Sequence, residues 1–452
     1  MSRLPLGWAC TRLEDVVEIL DSQRIPLNSR ERQARIAGKD NANLIPYYGA
    51  TGQVGLIDSH IFDGDLVLLG EDGVPFLDMF KHKAYRITGK SWVNNHAHVL
   101  RVRAEVTISG YVEGYLNSFD YTGVVTGSTR LKLTQAAMRE IPINIAPLSE
   151  QKRISEKLDA LLARVDVTRE RLDRVPALLK RFRRSVLAAA TSGELTEGWR
   201  DGECEAWEEA TIGDITVDLR YGTSKKCHYQ DYGTAVFRIP NVAENGRISS
   251  YDLKRAEFDA HEASRLRLEA GDLLVIRSNG SLDLVGKTAV VTSSEAGLLF
   301  AGYLMRLRLQ SKKVLPQYAY YGLSSPAQRH QIEITSKSTS GVNNINSEEL
   351  RALRISLPSI NEQTEIIRRV EALFAMAGKV QAQYEAARAR VDRLASALLA
   401  KAFRGELVPQ DPSDEPASVL LERLQGGKVS ALKPVKKRRK SSATVRSAKK
   451  GS

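Results

Sequence analysis

Two stretches of the 452-residue chain carry apolar residues spaced alternately four and three positions apart. In the first they are Ile154, Leu158, Leu161, Val165, Thr168, Leu172, Val175, Leu179, Phe182 and Val186, with Thr168 the one polar member. A displacement of 212 positions turns this series into Ile366, Val370, Leu373, Ala377, Val380, Tyr384, Ala387, Val391, Leu394 and Leu398. The spacing is that of a heptad helix whose stripe lines a coiled-coil seam. The same displacement, with no gap, superimposes Glu150-Gln151 on Glu362-Gln363 and Gly193-Glu194-Leu195 on Gly405-Glu406-Leu407. Each helix is expected to start at an N-cap, Ser149 or Asn361, with an acid in its first turn where the helix dipole favours it. Roughly 40 residues at ~1.5 Å each make rods about 60 Å long. Pro176 is expected to interrupt the first, because it lacks a backbone donor. The simplest packing sets the two seams against each other, antiparallel.

The segments outside the helices repeat more faintly. Trp8-Ala-Cys-Thr-Arg-Leu-Glu-Asp15 is similar to Trp207-Glu-Glu-Ala-Thr-Ile-Gly-Asp214. Both segments hold strand-like runs (Leu66–Leu69, Val99–Val102, Leu273–Ile276, Thr288–Val291) bounded by Gly, Asn and Asp. The expected fold is therefore α/β (α+β) globular domains alternating with two long antiparallel coiled-coil helices, in an internal pseudo-two-fold repeat. The expected partition is 1–149, helix 150–196, 203–361, helix 362–408, and a basic, disordered tail 409–452.

Composition narrows the class. A hydrophobic fraction of 42% with 27% charged residues suits a globular chain. No run of about 18 apolar residues and no leader-like start is present, so a cytoplasmic protein without a membrane segment is expected. Cys10, Cys204 and Cys227 form no C-x-x-C pair, which points to reduced thiols rather than a zinc site or a disulfide framework. The net charge of +12 is misleading, because residues 428–452 contribute ten Lys or Arg and no acid, leaving only +2 elsewhere. That tail reads either as a solvated terminus or as a sequence-independent phosphate contact.

Taken together, the Pro147-Leu-Ser-Glu-Gln151 and Leu357-Pro-Ser-Ile-Asn-Glu-Gln363 helix entries, the Gly-Glu-Leu exits, Leu187-Ala-Ala-Ala190 and Leu398-Leu-Ala-Lys-Ala402 resemble the specificity subunit of type I restriction-modification systems. Ile45-Pro-Tyr-Tyr-Gly-Ala-Thr-Gly52, Leu69-Gly-Glu-Asp-Gly73, Arg238-Ile-Pro-Asn-Val242 and Gly271-Asp-Leu-Leu-Val-Ile-Arg-Ser-Asn-Gly280 are also similar to family segments. The resemblance covers nearly all of residues 1–408. It implies two target-recognition domains, each reading one half of a split double-stranded DNA sequence. It also implies helices that serve as spacer and docking surface for two methyltransferase subunits. S-adenosylmethionine and ATP would then sit on partner subunits, the second on a restriction/translocase subunit, with no cofactor, metal or catalytic residue in this chain. The docking and helix-pairing set would be Ile154, Leu158, Leu161, Val165, Leu172, Leu179, Phe182, Ile366, Val370, Leu373, Val380, Tyr384, Val391 and Leu394. The basic tail departs from the family pattern.

Catalytic signatures fail on inspection. Gly280-Ser-Leu-Asp-Leu-Val-Gly286-Lys287-Thr288 has five residues between its glycines where a phosphate-binding loop has four, and a strand-like run follows where a helix is required. His96 and His98 lack a third ligand at metal spacing. There is no Pro-Pro dipeptide, so the loop that holds a flipped base in amino-methyltransferases is missing. DNA reading is instead expected from polar and basic loop residues, Arg and Lys to guanine and Asn and Gln to adenine. The candidates are Tyr47, Tyr48, Thr51, Lys81, Asn94, Asn95, Ser128, Thr129 and Arg130 in the first segment. In the second they are Arg238, Asn241, Arg277, Ser278, Asn279, Lys287, Lys337, Ser338, Asn343 and Asn344. Two other classes stay open on sequence alone: a coiled-coil assembly protein without a DNA role, and a fused nuclease or NTPase.

Overall fold

The computed structural model describes residues 4–200, 206–242, 246–339 and 341–431; Cys204 and the basic stretch beyond 431 lie outside them. The chain divides into two compact units, one formed by Met1–Leu172 with Ala386–Ser452 and the other by Asp173–Glu385.

In the first unit the continuous apolar run Leu66–Gly70 is a strand buried along its whole length. It is central in a four-stranded sheet ordered Val17–Ile19, Ala97–Val102, Leu66–Gly70, Ala84–Ile87, with antiparallel pairing throughout. A smaller sheet joins Ile45–Gly49 antiparallel to Gly52–Ile57 and parallel to Trp92–Val93. A ribbon pairs Ala9–Arg12 with Pro142–Ile145 at the head of the long helix.

The second unit repeats this plan in its two main sheets and its ribbon. Its four-stranded sheet runs Thr216–Tyr221, Leu304–Leu309, Leu273–Ile276, Thr288–Val290. Its smaller sheet again has an antiparallel pair, Thr234–Phe237 with Lys254–Ala256, and a parallel one with Leu299–Phe300. Glu208–Thr211 pairs with Arg354–Leu357 before the second long helix. The topology shared by these sheets, from dissimilar interiors, shows that the repeat lies in strand order and in the positions of buried residues more than in residue identity.

The first rod is two helices, Leu148–Asp173 and Val175–Ser192, with Pro176 in the opening turn of the latter. The second is one helix of 44 residues, Ile360–Phe403. Within the first unit, Ile154 and Leu158 share a core with Leu399, Ala402 and Phe403, while eleven residues on from Leu158, Arg169 pairs at 3.0 Å with Asp392. Within the second, Val186, Leu187 and Ala190 share a core with Ile366 and Val370, and Arg183 donates to Gln381 at 3.0 Å. In each unit the helices therefore run antiparallel.

Three of the fourteen helix-pairing positions need correction. Phe182 (37% exposed), Val380 (41%) and Leu394 (50%), placed on the seam by sequence, face outward. Covered positions also recur every eleven residues: Ile366, Ala377, Arg388, Leu399 and, in register with them, Val370, Gln381, Asp392, Phe403 are all buried or half-buried. A straight α-helix drifts about 20° per heptad from a strict seven-residue repeat, whereas eleven residues make three nearly exact turns. Midway along, the stripe carries polar pairs, so a search for apolar residues loses its phase.

Residues 409–424 are not a tail. The helix Ala417–Ala431 begins with its first backbone amide on the Gly7 carbonyl at 2.8 Å, and Asp414 pairs with Arg153 at 2.7 Å. Ala417 and Leu420 are buried in the first unit's core, with Leu421 and Leu424 half-buried beside them. Low overall hydrophobicity around the basic stretch hid this short apolar face.

Leu399→Ala is expected to cost about 2–4 kcal/mol of the first unit's stability, as for other buried leucines, and Leu394→Ala less than about 0.5 kcal/mol. Urea unfolding of both variants is the measurement; comparable losses would restore the heptad seam.

Candidate nucleic-acid interface

Each unit is pinned to its long helix by the repeated Glu-Gln dipeptide. Trp8 Nε1 donates to Glu150 at 3.0 Å, and Trp207 Nε1 to Glu362 at 3.1 Å. Gln151, fully buried, donates to the carbonyls of Val106 and Ala146 and accepts from Thr107. Gln363 donates to Lys313 and Pro358 and accepts from the Leu315 amide. The two units differ at the acid: Thr196 Oγ1 reaches Glu362 at 2.6 Å, whereas Glu150 Oε1 is buried without a hydrogen-bond partner among the described residues. Burial accordingly pushes the Glu150 carboxyl above its ordinary pKa. The Gly-Glu-Leu exits place Gly193 (φ 85°) and Gly405 (φ 75°) in the left-handed conformation that ends a helix.

This frame holds two sets of loop tips. In the second unit, Ser278–Asn279, Val342–Asn344 and Lys337–Thr339 form a three-stranded ribbon. It sets Ser278 opposite Asn344 and Asn279 opposite Asn343, with Lys337 and Ser338 opposite the same two asparagines on the other side. Candidates some sixty residues apart in sequence thus share one surface with Arg277, whose Nε donates to Asn344 Oδ1 at 3.3 Å.

Two other candidates serve the fold. Asn241 is 1% exposed; it accepts from the Arg238 amide and donates to the Ser249 and Tyr251 carbonyls. Arg238 is bound to Asp252, the one non-glycine among the described residues at positive φ (59°). Both follow from the tight turn after strand Thr234–Phe237, whose orphan groups need side-chain partners. Lys287 is half-buried, its amide on the Leu284 carbonyl, and a strand follows it.

Sequence reasoning missed the aromatic residues here: Tyr221, Tyr229, Tyr251 and Tyr303 are all exposed. Lys254 Nζ lies 4.8 Å from the Tyr229 ring centroid. Tyrosines interleaved with Lys225 and Lys226 were the available signal, since base stacking and phosphate contact use that mixture.

In the first unit the matching segment is the loop between Thr126 and Lys132, which bridge each other, with Lys132 also bridging Asp72. Ser128, Thr129 and Arg130 are exposed at its tip, and Arg130 pairs with Asp72 at 2.6 Å. Asp72 also contacts His96 at 2.9 Å. Asn94 accepts from the His96 amide and binds the Tyr48 carbonyl through its own. Thr51 and Asn95 stand exposed on neighbouring turns.

Tyr47 is not available. It is 3% exposed, packed with Ile57 and Trp92 because alternate residues of its strand face inward. Tyr48 is half-buried against Tyr85. Lys81 is exposed but on a separate loop, whose Met79 carbonyl accepts from Ser396 on the long helix. Arg32, stacked 4.9 Å over Tyr47, and Arg35, 4.8 Å over Trp92 and paired with Asp58 at 2.7 Å, lie on the basic helix Ser29–Ile36.

Beneath this loop His98, 1% exposed, meets Asp21 at 2.7 Å through Nδ1 and the Leu133 carbonyl at 3.0 Å through Nε2. Both ring nitrogens are committed to protein, which makes His98 structural. Burial alone would raise the Asp21 carboxyl, but bonds from His98, Val99 and Gln135 and the histidine's charge hold it below its ordinary value. No group of three or more His, Cys, Asp or Glu among the described residues is arranged to hold a metal ion. None of the described helices is long and apolar enough to cross a membrane.

A family model described as the type I restriction modification DNA specificity domain matches residues 5–177 and 204–383. The specificity subunit of the type I restriction enzyme EcoKI, from Escherichia coli (strain K12), is 36% identical over 342 residues, which cover 72% of this chain and 73% of that protein. The StySPI specificity subunit, from Salmonella potsdam, is 35% identical over 352 residues, 74% and 76% of the respective chains. A chain in a solved structure of complex assembly and conformational transition of the type I R-M system superposes with a TM-score of 0.66 at 19% identity. It covers 90% of this chain and 100% of that one.

Asp21→Asn is expected to destabilise the first unit by about 3 kcal/mol at neutral pH, as when one partner of a buried pair is lost. Because the folded carboxyl titrates below its ordinary 3.8, its contribution is complete above that value and fades as pH falls through the folded pKa. The gap between wild type and variant, followed by urea unfolding, should narrow below about pH 4; a gap that does not narrow would contradict this.

Proposed function

The chain belongs to the type I restriction-modification DNA specificity family, and on that premise we propose that each of its two globular units reads one half of a split DNA target. Proteins of this family recognise DNA and are not themselves catalytic. The chain is a sequence-recognition subunit that assembles with other restriction-modification subunits and DNA.

One observation carries the two-reader assignment. The units share strand order and pairing, yet the loop tips that converge in each bear different side chains. Phosphate contacts position a protein and base contacts specify, so a common frame with unlike tips suits two readers of unlike sequence. In this reading Thr51, Asn94, Asn95, Ser128, Thr129 and Arg130 serve the first half-site. Arg277, Ser278, Asn279, Lys337, Ser338, Asn343 and Asn344 serve the second. The long helices dock two methyltransferase subunits, which supply S-adenosylmethionine and methylate adenine. A restriction/translocase subunit supplies ATP-driven cleavage. This chain holds neither cofactor and works in the cytoplasm.

Replacing residues 203–361 with the corresponding segment of a relative is expected to change one half of the methylated sequence and leave the other intact. Genome-wide methylation mapping of the reconstituted complex reads the result. A change in both halves would refute independent readers, and no sequence-selective methylation from the wild-type complex would refute the assignment altogether.

A further inference from the structure

The two readers invert charge at one shared backbone position. In the first unit the Glu71 amide donates to the His96 carbonyl at 2.7 Å, and the Glu71 carbonyl accepts from Leu133 at 2.8 Å. In the second, the Arg277 amide donates to the Tyr303 carbonyl at 3.0 Å, and its carbonyl accepts from Ile345 at 2.9 Å. Both residues follow the buried central strand, both face the start of the strand beside it, and both are tied to the segment before the last short helix. They are therefore equivalent, although one is an acid and the other a cation.

Their surroundings differ accordingly. Glu71 is closed off: Arg24 reaches it at 2.9 Å and Lys132 at 3.1 Å. Arg277 has no carboxylate partner among the described residues. Its guanidinium lies 4.6 Å over the Tyr221 ring, and its Nε is held by Asn344, the counterpart of Lys132. Nη1 stands 3.5 Å from the Gly302 carbonyl. Arg130 and Arg238, the other candidate arginines, are bound to Asp72 and Asp252.

We infer that Arg277 reads a guanine in the half-site of the second unit; this rests on the two-reader assignment above. A cation half-covered by protein and left without a counter-charge needs an acceptor from outside. The stacking on Tyr221 and the bonds to Asn344 and the Gly302 carbonyl fix the plane of the guanidinium and leave Nη2, with the second hydrogen of Nη1, as a fork. Guanine O6 and N7 form the matching pair of acceptors. A planar fork also fits a phosphate, but Arg277 is set among Ser278, Asn279, Asn343 and Asn344, whose short neutral donors and acceptors suit base edges. The Tyr221 ring under the guanidinium is exposed, as is Tyr303, whose backbone carbonyl accepts from the Arg277 amide.

The test uses the full chain with its partner subunits. Arg277→Ala and Arg277→Lys should each relax one guanine position of the second half-site roughly tenfold to a hundredfold, in methylation mapping and in competition binding. Wild-type binding should weaken similarly when that guanine is replaced by 7-deazaguanine, which removes N7 and keeps base pairing, while the variants should be insensitive. The first half-site should be unchanged in every case, which also shows that the variants fold and assemble. A second half-site with no required guanine would overturn the inference. So would an Arg277→Ala complex that keeps its motif but binds all DNA more weakly, with a salt slope lower by about one unit, because that is the signature of a phosphate anchor. Absence of any selective methylation by the wild-type complex would instead remove the two-reader assignment itself.

Discussion

The structure depends on a glutamate and a glutamine at the head of each long helix. A buried amide side chain that spends its donors on two loop carbonyls and its acceptor on a hydroxyl or an amide has no freedom left. Loss of Gln151 would strand three buried groups at once, at a cost of about 1–3 kcal/mol each, and loss of Gln363 one buried and two partly buried groups. The tryptophan bound to the adjacent acid fixes the first strand of each unit in the same way. Because the helix start is fixed on the domain, the domain's loops are fixed on the helix.

That arrangement explains which parts of the fold were legible in the sequence. Buried groups with obligatory partners repeat at fixed spacing, so Glu150-Gln151, Glu362-Gln363 and the glycine exits located both helices. Leu66–Gly70 and Leu273–Ile276 announced themselves as apolar runs. The helix stripe did not, because Arg388 and Asp392 occupy covered positions that a search for apolar residues skips. Leu420 was hidden because the basic stretch from Lys428 onward dominates the composition of the C-terminal segment, though its own face of the helix is apolar.

The reading surface was legible in residue type and not in role. Asn, Ser and Arg on loops are as suited to closing a turn as to meeting a base, and only the partners decide. Asn241 spends its amide on turn carbonyls, and Arg238 its charge on Asp252. Arg277 and Asn344, distant in sequence, become neighbours through a pairing that no local pattern encodes. The tyrosines were passed over because a lone tyrosine is usually core; their exposure is visible only once the strands are in place.

The last residues of the first unit have a consequence for synthesis. Asp173–Glu385 is contiguous and contains its own stretch of the second helix, so this unit can close as soon as it leaves the ribosome. The first unit cannot: Tyr111, Tyr115 and Leu158 share their core with Leu399, Phe403 and Leu420, more than two hundred and forty residues later. At about 5–20 residues per second the interval is roughly ten to fifty seconds. During it the half-built N-terminal unit exposes an aromatic surface, and the unit whose sequence begins first is the one that finishes last.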